Sequence, residues 1–527
     1  MISATSAGRA MRQPEGEAEP AAEPPSSDPD DRSPGALTLD FTLPVEAAER
    51  LARLPFLQAC RTDRARPAAA EIVWLDTADG ALAAAGLAVA APKRGPRQLV
   101  RTLPGATAPW HPGMPPEAVR RLGAEEIPGE AGEGPLVAVA AFTGRRLAFR
   151  LALPDGAVGG VLLTGRLRSV AAEKPVARLS LTGAHPALLA AAQGIAAAVP
   201  LLPPLACLAE EGRALATGTE PRPHRLGPPD TSEAGSVEDA FLRATGHLLE
   251  VIRQQSARIR HGGGPEGVHQ TRVALRRLRS VLRVFRAATD GAPLRALDTR
   301  FREVLSVLGP ARDWDVFLGG IGRQVSEAFP DEKRIASLLR GAEGRRHAAY
   351  EAVLAMLGAP AWRMLLIDAT GTFLARPWRD GATVEALAAL DAPVEAFGRS
   401  ILERRWSRLR RAGEDFEELS AEALHELRLD GKRLRYAAEV FAPLFGAKAG
   451  RRFLRRVAAL QEGLGIANDA AVARGLAHSL VVPGQAGRLW AVGVIEGWCE
   501  ARVAGHRGDA FAAWERLSGK DRFWTGN

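Results

Sequence analysis

Cysteine is almost missing from this chain: among 527 residues only Cys60, Cys207 and Cys499 carry a thiol, far apart and with no C-x-x-C spacing. Three scattered thiols exclude a disulfide framework and offer no zinc site, so a reducing, cytoplasmic setting is expected. Lysine is scarce too, six of the 69 basic residues, the other 63 being arginine. Aromatic residues reach only 6%, little for a surface that would stack nucleic-acid bases. No long apolar run occurs. The most apolar stretch, residues 188–208, is Ala-rich and broken by Pro200, Pro203 and Pro204, and it reads as a helix followed by a turn. Residues 1–36 hold Pro, Ser, Asp and Glu but no apolar segment, which reads as a disordered tail and not a signal peptide.

What is there suffices for several cores. Hydrophobic residues make up 46% and charged residues 25%, the balance of a globular protein, and the length implies about three domains. The charge is unevenly placed. Residues 1–235 carry 24 basic and 26 acidic side chains, a net of −2, and residues 236–527 carry 45 and 35, a net of +10. A GC-rich genome accounts for arginine over lysine but not for this asymmetry. A basic half implies a polyanionic partner.

The two halves also differ in periodicity. Strand-like alternation occurs at residues 37–44, 71–77, 145–156, 158–167 and 175–183, with a Pro-Asp-Gly turn signal ending at Gly156 and helical stretches at 45–54 and 186–199. This pattern predicts an antiparallel α+β domain over 37–216. Residues 217–235 are Pro/Gly-rich and read as a linker, residues 236–515 as an all-α region, and 516–527 as a C-terminal tail.

The helical region repeats itself. VHQTRVALRRLRSVLRVF at 268–285 returns as LHELRLDGKRLRYAAEVF at 424–441, and LGPARDWDV at 308–316 returns as LGIANDAAV at 464–472, both offset by 156 residues. A constant offset over such a span implies two equivalent helical bundles from duplication. On a helix, His269, Arg272, Arg276, Arg279 and Arg283 fall in one arc of roughly 80°. The second copy repeats the stripe as His425, Arg428, Lys432 and Arg435, with Glu439 near it. Stacked like charges repel by a few tenths of a kcal/mol per pair, so a cationic stripe is a poor solubilising device and a good row of phosphate donors. Arg277 and Arg433 match as well, and Arg451, Arg452, Arg455 and Arg456 form a further basic patch. Asp313 and Asp469 read as helix-start caps or arginine partners and not as metal ligands.

These motifs resemble the CHAD domain, the conserved histidine α-helical domain, over about residues 236–514. The resemblance implies two helical bundles whose basic surfaces bind inorganic polyphosphate without catalysis. The implied binding residues are His269, Arg272, Arg276, Arg277 and Arg279, with His425, Arg428, Lys432, Arg433 and Arg435. Residues 73–89 resemble the CYTH family, whose β-tunnel hydrolyses or cyclises triphosphates through an E-x-E-x-K strand. Here those strand positions hold Thr38, Asp40 and Thr42, a later acidic strand holds Arg178 and Ser180, and Leu208 and Glu211 stand where two bases are expected. Metal-assisted phosphoryl chemistry needs several converging carboxylates, so a tunnel-like domain without catalytic residue, metal or cofactor is expected, with Asp40 a solvent-facing strand residue.

The fold class expected is therefore α+β multidomain: an antiparallel β-tunnel-like domain followed by two duplicated helical bundles. The partner expected is inorganic polyphosphate, with residence at polyphosphate granules as a corollary and no membrane association. A triphosphatase or nucleotide cyclase and a nucleic-acid-binding protein are the competing readings. No motif specifies an oligomeric state.

Overall fold

In the computed structural model the described residues are 37–103, 118–121, 135–222, 226–260, 262, 264–482, 484, 486–519 and 522–525. The segment 1–36, expected to be a disordered tail, lies outside them. Eight strands form one antiparallel sheet: β1 (Leu37–Thr42), β2 (Arg66–Thr77), β3 (Leu87–Pro92), β4 (Gln98–Arg101), β5 (Ala118–Arg121), β6 (Leu136–Leu153), β7 (Gly156–Ser169) and β8 (Glu173–Gly183). Their order is β1-β8-β7-β6-β2-β3-β4-β5. The sheet curls into a half-barrel with β1 and β5 at its edges, so the expected tunnel-like domain takes an open form.

Alternation fixes what each face does. In β6, Ala140 and Phe142 point to one face and Phe149 and Leu151 to the other, and all four are buried. Five helices accompany the sheet: α1 (Val45–Leu51), α2 (Pro55–Cys60), α3 (Ala81–Ala84), α4 (His185–Ala196) and α5 (Leu208–Thr217). Helix α4 covers the face with Phe149 and Leu151, and α5 covers the face with Phe142, Trp74 and Leu167. Gly144 and Gly165 pair across β6 and β7. A Cβ on either would run into the opposite carbonyl oxygen, so only glycine permits this close approach. The β6–β7 hairpin turns at Gly156, whose φ of +135° suits glycine, as the Pro-Asp-Gly signal predicts.

Helices fill the rest: α6 (Val237–Arg260), α7 (Gly264–Val284), α8 (Arg286–Thr289), α9 (Ala292–Phe317), α10 (Arg323–Ala328) and α11 (Lys333–Gly358). Then come α12 (Pro360–Ala375), α13 (Val384–Asp391), α14 (Val394–Ala412), α15 (Ala421–Phe441), α16 (Ala447–His478) and α17 (Ala486–Ser518). The duplication is visible in the packing. In the first copy α6 packs on α7, α7 on α9 and α9 on α11, and in the second α14 packs on α15, α15 on α16 and α16 on α17. Among the described residues no single helix is long and apolar enough to cross a membrane.

The halves share a boundary. Helix α12 packs on α4 and lends Ile367 to the core of the β half. At its rim Gln193 donates to Asp368 at 2.8 Å, and Asp368 pairs with Arg300 at 2.6 Å.

Two segments that composition marks as loose are packed down. In the stretch 217–235, expected to be a linker, Arg222 donates to Glu210 and to the Ala83 carbonyl, at 2.9 and 3.0 Å. Thr231 is buried with its hydroxyl on the Val440 carbonyl, and Ala234 joins the helical core. Of the expected tail 516–527, α17 claims residues to Ser518, and Phe523 and Trp524 insert into the helical core. Proline and glycine predict backbone irregularity, but partnered polar side chains and two aromatic rings decide whether an irregular backbone is anchored.

Candidate functional site

Helices α7 and α15 bury Val268, Leu275, Leu278, Leu427 and Leu434 in the shared core. That burial turns the opposite face toward the other copy. His269, Arg272 and Arg276 from α7 meet His425, Arg428 and Lys432 from α15 around one cleft of ≈ 550 Å³. Arg312 from α9, Arg502 from α17 and Tyr436 from α15 complete its polar wall. A π turn at Leu318–Gly322, after α9, carries Gly320 and Ile321 into the wall. Six cations (Arg272, Arg276, Arg312, Arg428, Lys432 and Arg502) face two carboxylates, Asp313 and Asp469.

The repeated Leu-Gly pair has a steric role. Arg272 lies over Gly309, where a Cβ would sit 3.1 Å from its Nη1, and Arg428 lies over Gly465, where a Cβ would sit 3.9 Å from its Nε. A Cβ at Gly309 would crowd the path of Arg272 to the cleft, whereas at Gly465 it would make only an ordinary contact with Arg428. Four residues on, Asp313 and Asp469 stand 3.9 and 4.0 Å from Arg272 and Arg428. The capping role considered for these acids does not hold. Both lie inside the continuous helices α9 and α16, where no backbone N–H is free to cap; the arginine-partner role holds at long range.

Crowded, half-buried cations shift each other's protonation. Burial, reinforced by Arg312, lowers the pKa of His269, so its ring is neutral near pH 7. Burial also lowers Arg272 and Arg428, though no arginine loses its charge in practice. Lys432 moves furthest: burial and the neighbouring Arg276 and Arg428 bring it down to about 8. Burial raises the Asp313 carboxyl.

The two copies meet reciprocally. Arg277 of the first copy binds Glu439 of the second at 2.7 Å. Adding and subtracting 156 gives Arg433 and Arg283, and those two side chains are also neighbours. Arg276 likewise lies beside its own counterpart Lys432. This is the contact pattern of a two-fold axis, here within one chain.

The remaining predicted residues do not line the cleft. Arg277 and Arg435 share the buried Glu439 and tie α7 to α15. Arg279 is held by Asp298 of α9 at 2.6 Å, and Arg433 by Asp430, which also receives Arg408. Arg283 is exposed among Arg279, Arg286 and Arg433. The stripe is therefore a cleft wall only as far as Arg276. Beyond it, α9 and α15 supply carboxylates that convert phosphate donors into structural ties. Arg451, Arg452, Arg455 and Arg456 lie in the early turns of α16, outside the cleft, and Arg451, Arg452 and Arg455 are exposed.

Sequence reasoning overlooked Arg312, Arg502 and Tyr436. Arg502 had a signal, because it lies 156 residues after Arg346, which pairs with Asp315 at 2.7 Å. The counterpart of Asp315 is Ala471, so the second copy lacks that carboxylate and its arginine reaches the cleft.

In the β half, Thr38, Asp40 and Thr42 of β1 stand in register with Thr182, Ser180 and Arg178 of β8. Apart from Thr182 these are positions compared with the tunnel family, and Thr38, Asp40 and Arg178 are already engaged by protein partners. Thr38 and Thr182 hydroxyls are 2.9 Å apart, Ser180 donates to Asp40, and Arg178 pairs with Glu211 of α5. Asp40 is thus half-buried and bonded, not solvent-facing, and burial raises its pKa. Trp74, Phe142, Leu167 and Val176 fill the neighbouring face beneath α5. Among the described residues no three His, Cys, Asp or Glu side chains converge as a metal site requires.

Residues 243–478 match the CHAD domain family. The chain is similar to the crystal structure of the CHAD domain from the plant Ricinus communis, at 28% identity over 57% of this chain and 96% of that one, with a TM-score of 0.46. It is also similar to PptA from Streptomyces chartreusis, at 16% identity over 53% of this chain and 99% of that one, with a TM-score of 0.37. No curated protein matches.

Proposed function

Because the helical half of this chain is a CHAD domain, we propose that it binds inorganic polyphosphate in the cleft between its two copies and carries out no reaction on it. The observation that carries this reading is the convergence of six cations, drawn from both copies, on one cleft that holds two carboxylates. Guanidinium groups supply paired donors to successive phosphates, and half-burial strengthens each contact relative to an exposed patch. The β half supports a non-catalytic reading: its one inner carboxylate on β1, Asp40, is held by Ser180, and Arg178 is paired with Glu211. Residence at polyphosphate granules in the cytoplasm follows from the same affinity.

Titration with polyphosphates of defined length, read by thermal shift and calorimetry, tests the proposal. Affinity is expected to rise with chain length and level off once the cleft is spanned. If six cations are neutralised, log K against log salt is expected to fall with a slope of roughly −4, at about 0.7 per contact for a flexible polyanion. Equal competition by RNA at matched salt would favour nucleic acid, and phosphate release from triphosphate with Mg²⁺ or Mn²⁺ would favour an enzyme.

Lys432 gives the binding a pH signature. Its pKa of about 8 means the charge is present below that pH and lost as pH rises through it, so affinity falls above about 8. A bound polyanion favours the charged form, and complex formation just above pH 8 is expected to take up a proton. Calorimetry in buffers of different ionisation enthalpy measures that uptake, and Lys432→Arg should abolish it. An uptake unchanged by Lys432→Arg would contradict the assignment.

A further inference from the structure

A second cavity, of ≈ 430 Å³, lies at one mouth of the half-barrel, where β8 and the start of α1 face α6 and α12. It shares no lining residue with the cleft between the copies. Its size suits a small molecule, and its walls are of two kinds. One is apolar, with Leu43, Leu205, Trp362 and Leu366, and the other carries Lys174, Arg178, Arg253 and Arg260.

The cations there are unequally satisfied. Arg253 is fully engaged, with Glu250 and the Pro204 and Leu205 carbonyls. Arg178 is not. Its side chain is 5% exposed and its Nη2 serves Glu211 and the Ala206 carbonyl, yet its Nε and Nη1 are buried without a partner. Those two nitrogens are closed to solvent, so Arg178 offers an arriving oxyanion its charge and not the idle donors. Lys174 shares the same Glu211, at 2.8 Å, so one carboxylate serves two cations. Arg260, exposed at the rim, has no carboxylate partner among the described residues, and its neighbour is another cation, Arg363. Glu46 stands on the α1 side of the lining.

We infer that this inter-domain cavity is a binding site for a small phosphate monoester, whose dianionic head docks between Arg178, Lys174 and Arg260 and whose apolar body lies against Trp362 and Leu366. Lys174, Arg178 and Arg260 outnumber Glu211 on that side of the cavity, and the three free oxygens of a phosphate can serve all three cations where the two of a carboxylate cannot. The apolar wall favours an organic ester over free phosphate. Because the lining comes from both halves, occupancy ties the β half to the helical half.

The inference stands apart from the polyphosphate reading, and its test keeps them separate. The full chain carrying Arg272→Ala, Arg276→Ala, Arg428→Ala and Lys432→Ala is titrated with phenyl phosphate, inorganic phosphate, benzoate and phenol. Phenyl phosphate is expected to bind saturably at one site and raise the unfolding temperature, about tenfold tighter than inorganic phosphate because the ring buries on the apolar wall. Benzoate should bind more weakly and phenol not at all. Adding Arg178→Gln or Arg260→Ala should each weaken phenyl phosphate by about tenfold, the worth of one charge-assisted hydrogen bond. Arg260 is exposed, so its replacement leaves the fold intact if Arg178→Gln does not. No saturable binding of phenyl phosphate, equal affinity for inorganic phosphate, or affinity unchanged by Arg260→Ala would overturn the inference.

Discussion

Replacing Arg272, Arg276, Arg428 and Lys432 together by alanine is expected to lower affinity for long-chain polyphosphate by about three orders of magnitude. Hydrogen bonds to charged groups are worth about 1.5–3 kcal/mol each, and shared phosphates make the four less than additive. A combined loss of about 4 kcal/mol corresponds to about a thousandfold. The variant should fold. The four side chains are only partly buried, the carboxylate contacts of Arg272 and Arg428 are 3.9 and 4.0 Å long, and removing crowded like charges relieves repulsion. Alanine at Arg451, Arg452, Arg455 and Arg456 is the control: these lie outside the cleft, and their loss is expected to weaken binding less than about tenfold through the general field. Retention of the first variant on a polyphosphate resin at wild-type salt would remove the cleft from consideration.

Trp524→Ala is expected to destabilise the helical half by about 3–5 kcal/mol, the range for deleting a large buried aromatic. Trp524 is fully buried and packs edge-on against Phe453 and Phe523, with ring centroids 5.1 and 4.8 Å away. Its Nε1 also donates to Glu403 at 3.0 Å. Urea unfolding followed by helical circular dichroism measures the loss. A change below about 1 kcal/mol would mean the end of the chain contributes nothing to the core, because exposed substitutions fall within about 0.5 kcal/mol. Trp524→Phe should recover part of the stability, since edge-on ring contacts survive while the indole hydrogen bond and one ring of buried volume are lost.

Five of the eight strands were legible because alternation is a local property: each predicted strand falls within or beside an observed one, and Gly156 turns the hairpin its neighbours announce, while the short strands β3, β4 and β5 gave no such run. The duplication was legible because equal spacing survives divergence, and with it the meeting of His269, Arg272 and Arg276 with His425, Arg428 and Lys432. In the first copy the stripe failed beyond Arg276 for a non-local reason, whereas in the second Arg435 meets Glu439 one turn along its own helix. Asp298 lies on another helix, and Glu439 faces Arg277 only once the two copies have docked. A helical wheel shows which residues share a side and not what stands opposite. Asp313 and Asp469 were misplaced at helix starts because each follows a Leu-Gly pair, whereas α9 and α16 run through those pairs unbroken. Arg502 was hidden because its role depends on a carboxylate its own copy lacks.

The reciprocity between Arg277 with Glu439 and Arg283 with Arg433 bears on the direction of whatever lies in the cleft. A receptor related to itself by half a turn has almost no means of telling one end of a threaded chain from the other. A nucleic-acid strand runs from 5′ to 3′ and changes when reversed, but a linear phosphate polymer does not. The duplicated architecture approaches that indifference without reaching it: Arg312 is answered by Asn468 and Arg502 by an arginine tied to Asp315, so entry from the two ends is similar but not equal in cost.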